Sequence, residues 1–242
     1  MNPLALLKKK KKPPVCSAVI VAAGSSQRMG SDKLMKKLGA MPVLARTILA
    51  FENCPLVDEI IIVTRRDRLE EIADLCHKNG LHKVRQVVSG GATRMESALA
   101  GVSAARHGAA YIAIHDGARP LVSQELIERT ILAAQKYRAA APAIPSTDTL
   151  KAVDAKGFVV GTVDRESIRR VQTPQVFEAD LIKGALTKAF DSGIAYTDDC
   201  AAVEALGVPV HLSRGSDENL KITTPADMET ARVILARRRS EE

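Results

Sequence analysis

The sequence predicts an α/β fold, Rossmann-like, with a mostly parallel sheet flanked by helices and an extended β-hairpin arm. Three observations carry this. Short apolar runs of strand length recur along the chain, helix-length amphipathic segments separate them, and one stretch, 145–174, breaks the rhythm with turn residues and β-branched pieces. The 242 residues, 46% of them apolar, suffice for one sizeable core and suit a single α/β domain. Disorder of the whole chain is excluded.

The elements follow in order. Residues 1–14 read as a disordered basic tail, closed by Pro13 and Pro14, which suit neither a helix nor a central strand. Residues 15–242 then read as one domain. Its first strand is the apolar run 16–22, bounded by Gly24 and short enough to be buried on both faces. Similar runs at 59–63, 84–88, 111–115 and 139–144 are the next strands. Between them, Met95, Ala98, Leu99 and Val102 fall at the spacing of one buried helix face, with Arg94 and Glu96 directed elsewhere. From 145 to about 170 a hairpin leaves the sheet, turning at 154–157. Such an arm exposes strand edges unless another chain covers them, which predicts a homodimer; a hairpin folded back on its own domain is the alternative. Thr224, Pro225 and Asp227 supply an N-cap hydroxyl, a first-turn proline and a first-turn acid, so a last helix starts there and runs to about Arg238. Parallel sheets of this type bind ligands at the carboxyl ends of their strands.

Charge and composition narrow the function. The formal charge is +7, but five of those units are the consecutive lysines at 8–12, leaving +2 for the rest. A nucleic-acid-binding module is disfavoured: aromatics are 3% with no Trp, and no helix gathers several Arg or Lys on one face. No run approaches the roughly 18 apolar residues of a membrane span, and residues 1–14 place their apolar segment before the lysines, the reverse of a secretory signal. A cytoplasmic location is therefore expected. Cys16, Cys54, Cys76 and Cys200 lie far apart without a C-x-x-C pair, and they read as buried small hydrophobes.

The loop after the first strand carries the first chemical signal. It reads A-A-G-S-S-Q-R-M-G-S-D-K from Ala22 to Lys33, and it is neither a Walker A loop nor a G-x-G-x-x-G fingerprint. What it offers is a small-residue turn whose N–H groups can approach phosphate oxygens, followed by two cations, Arg28 and Lys33. Alone, it reads more readily as a tight strand-to-helix turn with solvated charges.

Together with S-G-G-A-T-R-M-E-S, H-D-G-A-R-P, T-V-D-R, T-P-Q-V-F, Y-T-D-D and D-E-N-L-K-I-T, this loop resembles the 2-C-methyl-D-erythritol 4-phosphate cytidylyltransferase family over roughly residues 16–236. The resemblance implies a fold of the nucleotide-diphospho-sugar transferase type and transfer of CMP from CTP to methylerythritol phosphate. A divalent cation, Mg²⁺ above all, is expected because triphosphates carry one into the site, with ligands the sequence does not identify. By the same resemblance Arg28 and Lys33 stabilise the transition state, and Arg165 and Lys221 position the nucleophile. The nucleotide would be read by Ala22, Ala23, Gly24, Ser25, Ser26, Gly91, Ala92, Ser97 and Gly117. Asp116, Arg119, Thr149, Arg165, Thr173 and Lys221 would bind the polyol phosphate, with Thr149 and Arg165 reaching it from the partner subunit. His115 is expected to be structural, because an attacking phosphate is already ionised near neutral pH and needs no base. Two other readings compete: a cytidylyltransferase for another polyol phosphate such as ribitol 5-phosphate, and an inactive nucleotide-binding scaffold.

Overall fold

A computed structural model describes residues 15–24 and 32–241 of the chain. The expectations for residues 1–14, and for Ser25, Ser26 and Arg28, lie outside the described residues. In chain order the strands are β1 (Cys16–Val21), a small pair β2 (Lys37–Leu38) and β3 (Met41–Pro42), β4 (Glu59–Thr64), β5 (Val84–Ser89), β6 (Tyr111–Asp116), β7 (Ala139–Pro145), β8 (Lys151–Val153), β9 (Val159–Thr162), β10 (Arg169–Val171), β11 (Gln175–Glu178) and β12 (His211–Arg214). The helices are α1 (Val43–Glu52), α2 (Leu69–Lys78), α3 (Arg94–Ala104), α4 (Gln124–Tyr137), α5 (Ala179–Asp191), α6 (Asp199–Glu204) and α7 (Pro225–Glu241).

The main sheet runs β10-β7-β11-β6-β1-β4-β5, with β12 also paired to β7. Strands β6, β1, β4 and β5 are mutually parallel, as the apolar runs predict, and β12 is parallel to β7. The period of two explains why both faces are covered. On β4, Ile60 and Ile62 enter one core and Ile61 and Val63 the other; on β1, Ala18 and Ile20 oppose Val19 in the same way.

Three features depart from the sequence reading. Strand β11 slots antiparallel between β6 and β7, pairing Gln175 with Ile114 and Phe177 with Ala139. Only four residues long, it has too little length to show a period. Second, a hairpin does leave the main sheet as expected, β8 and β9 forming a separate two-stranded ribbon, but the excursion is shorter than 145–170, because β10 returns to pair Arg169 with Pro145. The turn expected at 154–157 is present, with the Asp154 carboxylate accepting from the N–H groups of Lys156 and Phe158 at 2.9 Å each. Third, the buried face of α3 is Ser97, Ala98, Gly101 and Val102, one step round from the expected stripe; Met95 and Leu99 pack at its margin.

That rotation has a cause. A Cβ on Gly101 would lie 2.3 Å from Val19 Cγ1 and 2.7 Å from Val63 Cγ2, so α3 sits on the sheet at a separation that only glycine allows. Gly101→Val is therefore expected to destabilise the fold by about 1–3 kcal/mol through overpacking. Urea unfolding measures this, and an unchanged midpoint would contradict the close packing.

Candidate active site

At the carboxyl ends of β1 and β6, and beside the loop that follows β5, lies a cleft of about 490 Å³. Backbone hydrogen bonds build its floor by extending the parallel ladders one residue past each strand. Ala22 N–H donates to Val63 O at 2.7 Å, Gly90 N–H to Thr64 O at 2.8 Å, and Gly117 N–H to Val21 O at 2.9 Å. Three loops therefore leave the sheet at one level, and Ala22, Ala23, Gly24, Gly91, Ala92, Ser97 and Gly117 all line the cleft.

The glycine turn is closed by a capping arrangement. Thr93 caps α3 by accepting from Glu96 N–H at 3.1 Å, and the Glu96 carboxylate accepts from Ala92 N–H at 2.8 Å. Gly90 is required by close approach: a Cβ there would lie 2.6 Å from Ser97 Oγ and 2.8 Å from the Ala23 side chain. Ser97 donates its hydroxyl proton to Thr93 O at 2.9 Å, which leaves the oxygen's lone pairs able to accept from an exocyclic amino group.

On the opposite side of the cleft the cations converge. Asp116 ends β6, 7% exposed, and its carboxylate faces Lys221 Nζ at 2.9 Å, Arg94 Nε at 3.4 Å and Arg119 Nε at 3.5 Å. Burial alone would raise its pKa. Lys221, Arg94 and Arg119 together outweigh burial and hold the carboxyl well below the usual carboxylate range. Arg94 shows the converse balance: burial opposes its charge, but Asp199 and Asp116 more than offset this and keep the guanidinium protonated. Arg119 is pushed down from its ordinary value, first by burial and also by Arg94.

Each cation is placed by a local device. Lys33 lines the cleft just after Asp32, whose carboxylate accepts from Leu34 N–H at 3.0 Å and pairs with Arg68 beyond the end of β4. Lys221 is set by its neighbours: Ile222 N–H donates to Ala118 O at 2.9 Å, and the buried Asn219 side chain donates to Thr173 O at 2.9 Å. Arg119 Nη1 donates to Asn219 O at 2.7 Å.

Thr173 is 4% exposed, and its hydroxyl is engaged within the protein. It accepts from Asp116 N–H at 3.1 Å and lies 2.9 Å from His115 Nδ1. The other imidazole nitrogen, Nε2, lies 3.3 Å from Arg119 O, which can only accept. The proton therefore sits on Nε2, and Thr173 donates to Nδ1. His115 is fully buried against Phe51, and burial pushes its pKa down to about 3. It is a neutral strut that fixes the Asp116 backbone, in keeping with the structural role expected for it.

The structure brings Lys33, Asp116 and Lys221 together with the nucleotide-side backbone. It does not bring Thr149 and Arg165 there: both are exposed on the segment that carries the β8-β9 ribbon. Sequence reasoning missed Arg94, Thr223, Asn219, Gln172, Gln175 and Asp199, of which Arg94 and Thr223 line the cleft. Two signals were available: all but Gln172 lie within the seven segments quoted above, and Arg94 stands in the first turn of a helix that opens at a strand's carboxyl end. A larger groove, about 710 Å³, runs between α2 and the edge strand β5, but it contains none of the residues marked for chemistry. Among the described residues, no three His, Cys, Asp or Glu side chains gather as a metal site, and no helix is long and apolar enough to cross a membrane.

Residues 16–237 match the family model for 2-C-methyl-D-erythritol 4-phosphate cytidylyltransferase. The protein of that name from Desulforamulus reducens is 44% identical over 214 residues, covering 87% of this chain and 92% of its own. Its counterpart from Symbiobacterium thermophilum is 41% identical, covering 87% and 89%. The crystal structure of 4-diphosphocytidyl-2C-methyl-D-erythritol synthase from Anaerococcus prevotii superposes with a TM-score of 0.83 at 33% identity, covering 93% of this chain and 97% of that one.

The buried imidazole predicts a pH dependence of stability. Unfolded, it takes up a proton near its ordinary value of 6.5; folded, it does not until about 3. Its contribution is complete above about pH 6.5 and is lost as the pH falls toward 3. Urea unfolding at pH 7.5 and 5 should show lower stability at pH 5, and His115→Gln should reduce that difference. An equal difference in both proteins would contradict the assignment.

Proposed function

Because the chain belongs to the 2-C-methyl-D-erythritol 4-phosphate cytidylyltransferase family, we propose that its two substrates meet in the cleft between the glycine turn and Asp116. The protein transfers CMP from CTP to methylerythritol phosphate and releases pyrophosphate, in the non-mevalonate route to isoprenoids. The family match also favours this polyol phosphate over ribitol 5-phosphate. The observation that carries the proposal is the convergence of Lys33 and Lys221 on a pocket whose other wall is small-residue main chain and Ser97.

In that arrangement the cytosine lies against Ala22, Ala23, Gly24, Gly91, Ala92 and Ser97, where a peptide edge and a hydroxyl can match its amino and carbonyl groups. The triphosphate points toward Lys33 and, by the family motif, Arg28. The polyol phosphate lies toward Asp116 and Lys221, with Asp116 accepting from its hydroxyls and Arg119 adding charge from the inner side. A phosphate oxygen attacks the α-phosphorus, the bond from that phosphorus to the bridging oxygen breaks, and pyrophosphate leaves with the electron pair. No proton has to be removed from the nucleophile, which accords with a neutral, buried His115. The protein's work is positioning and neutralisation of several phosphate charges.

The described residues do not form a cage for Mg²⁺. Asp116 is the only carboxylate among those lining the cleft, and three cations already engage it. A magnesium ion accompanying CTP would be coordinated by the phosphate oxygens themselves. The four cysteines are buried and free, in keeping with a reducing, cytoplasmic setting.

The arm is read as a dimerisation element. Its ribbon makes no strand pairing with the main sheet, and it exposes Val153, Phe158, Val159 and Val160, each between 58% and 69%. An apolar edge of this kind is covered economically by a second copy, whose Thr149 and Arg165 then reach the first copy's cleft. Lys33→Ala and Arg165→Ala should each lower turnover by about 10²–10³ with unchanged circular dichroism. Co-refolding the two inactive variants should restore about a quarter of wild-type activity, since half the dimers are mixed and each holds one intact site. A mixture no more active than either parent would contradict the crossing arm.

A further inference from the structure

Behind the cleft a second carboxylate faces the same arginine. Asp199, the first residue of α6, is 1% exposed and does not line the cleft. Arg94 Nη1 and Nη2 donate to its two oxygens at 3.0 and 2.8 Å, whereas only Nε approaches Asp116, at 3.4 Å. Asp199 is itself fixed. Gln175, 2% exposed on β11, accepts through Oε1 from the N–H groups of Asp199 at 3.0 Å and Cys200 at 3.1 Å. Its Nε2 donates to Asp198 at 2.8 Å, and Asp198 caps α6 by accepting from Ala201 N–H at 3.0 Å.

The need for this second acid follows from counting charges. Arg94, Arg119 and Lys221 all approach Asp116, and one carboxylate cannot serve two guanidinium groups and an ammonium equally. A bidentate Arg–carboxylate contact is geometrically favoured over a single ammonium contact, so an Arg94 with no other partner would turn its fork onto Asp116. Lys221, 38% exposed on the cleft side, is the cation that would be displaced. Asp199 removes this competition by occupying the fork.

We propose that Asp199, fixed by Gln175, is a positioning residue: by taking both Nη groups of Arg94 it leaves the Asp116 carboxylate to aim Lys221 into the cleft. This rests on the reading of that cleft as the site of cytidylyl transfer. Asp199 touches no substrate, and its influence passes through Arg94 to Asp116 and then to Lys221.

Steady-state kinetics with both substrates varied test the relay. Asp199→Asn keeps the shape and removes the charge; kcat/KM for methylerythritol phosphate should fall about 10- to 100-fold, with KM for CTP little changed. In an Arg94→Met background the same substitution should add nothing, because no guanidinium remains to be redirected. Wild-type kinetics in Asp199→Asn, equal losses toward both substrates, or losses that multiply in the double variant would each overturn the proposal. If Asp199→Asn does not fold, Arg94→Met is compared with Arg94→Met/Asp199→Leu, which leaves neither charge buried. Equal constants in that pair support the relay and a further fall contradicts it. Failure of the wild-type chain itself to turn over these substrates would instead overturn the functional reading.

Discussion

A charged carboxylate at the end of a central strand is the constraint around which this molecule is arranged. Asp116 terminates β6, which lies between β1 and β11, and its side chain has little access to water. A buried anion persists only if partners replace its hydration. Here the partners are Lys221 from the loop before α7, Arg94 from the start of α3 and Arg119 from the loop after β6. Arg94 and Lys221 are thereby drawn in from segments distant in sequence to join Arg119, three residues from the acid. The same contacts that neutralise the acid gather positive charge beside a cleft suited to phosphates.

The cleft divides its work between backbone and side chain. On the nucleotide side, ladder hydrogen bonds running past β1, β5 and β6 hold small residues at fixed heights, and recognition requires little more than peptide groups and one hydroxyl. On the phosphate side, long flexible cations are useful only if something aims them, and Asp116 does so. Thr173 and His115 secure the Asp116 backbone from behind through a chain of hydrogen bonds whose direction is fixed by the Arg119 carbonyl. The net charge of the chain describes this poorly: most of its excess lies in the lysines at 8–12, while the functional charge is a local imbalance among a few residues of a nearly neutral domain.

Much of this was legible in the sequence, and the limits are physical. The parallel strands announced themselves because a strand buried on both faces is apolar throughout, as with Ile60 to Val63. The last helix was marked by its cap, and Asp227 does accept from Thr223 and Thr224 N–H, at 2.7 Å each. The short strand β11 has no such signature, and neither does β12, half of whose residues are solvent-facing polar groups. Arg94 looked like a solvated charge because its main partner, Asp199, lies 105 residues away. Contacts of that separation leave no local period or spacing to read. The residues of the first loop and of Asp116 and Lys221 stood out only when seven segments were taken together in order.

The most direct measurement is turnover of CTP and methylerythritol phosphate by Asp116→Asn, with thermal unfolding in parallel. The variant should retain its fold and lose about 10²–10³ in kcat/KM, because Lys221 no longer has an anion to hold it in place. An Asp116→Asn protein within about threefold of wild type would contradict the central place given to this carboxylate.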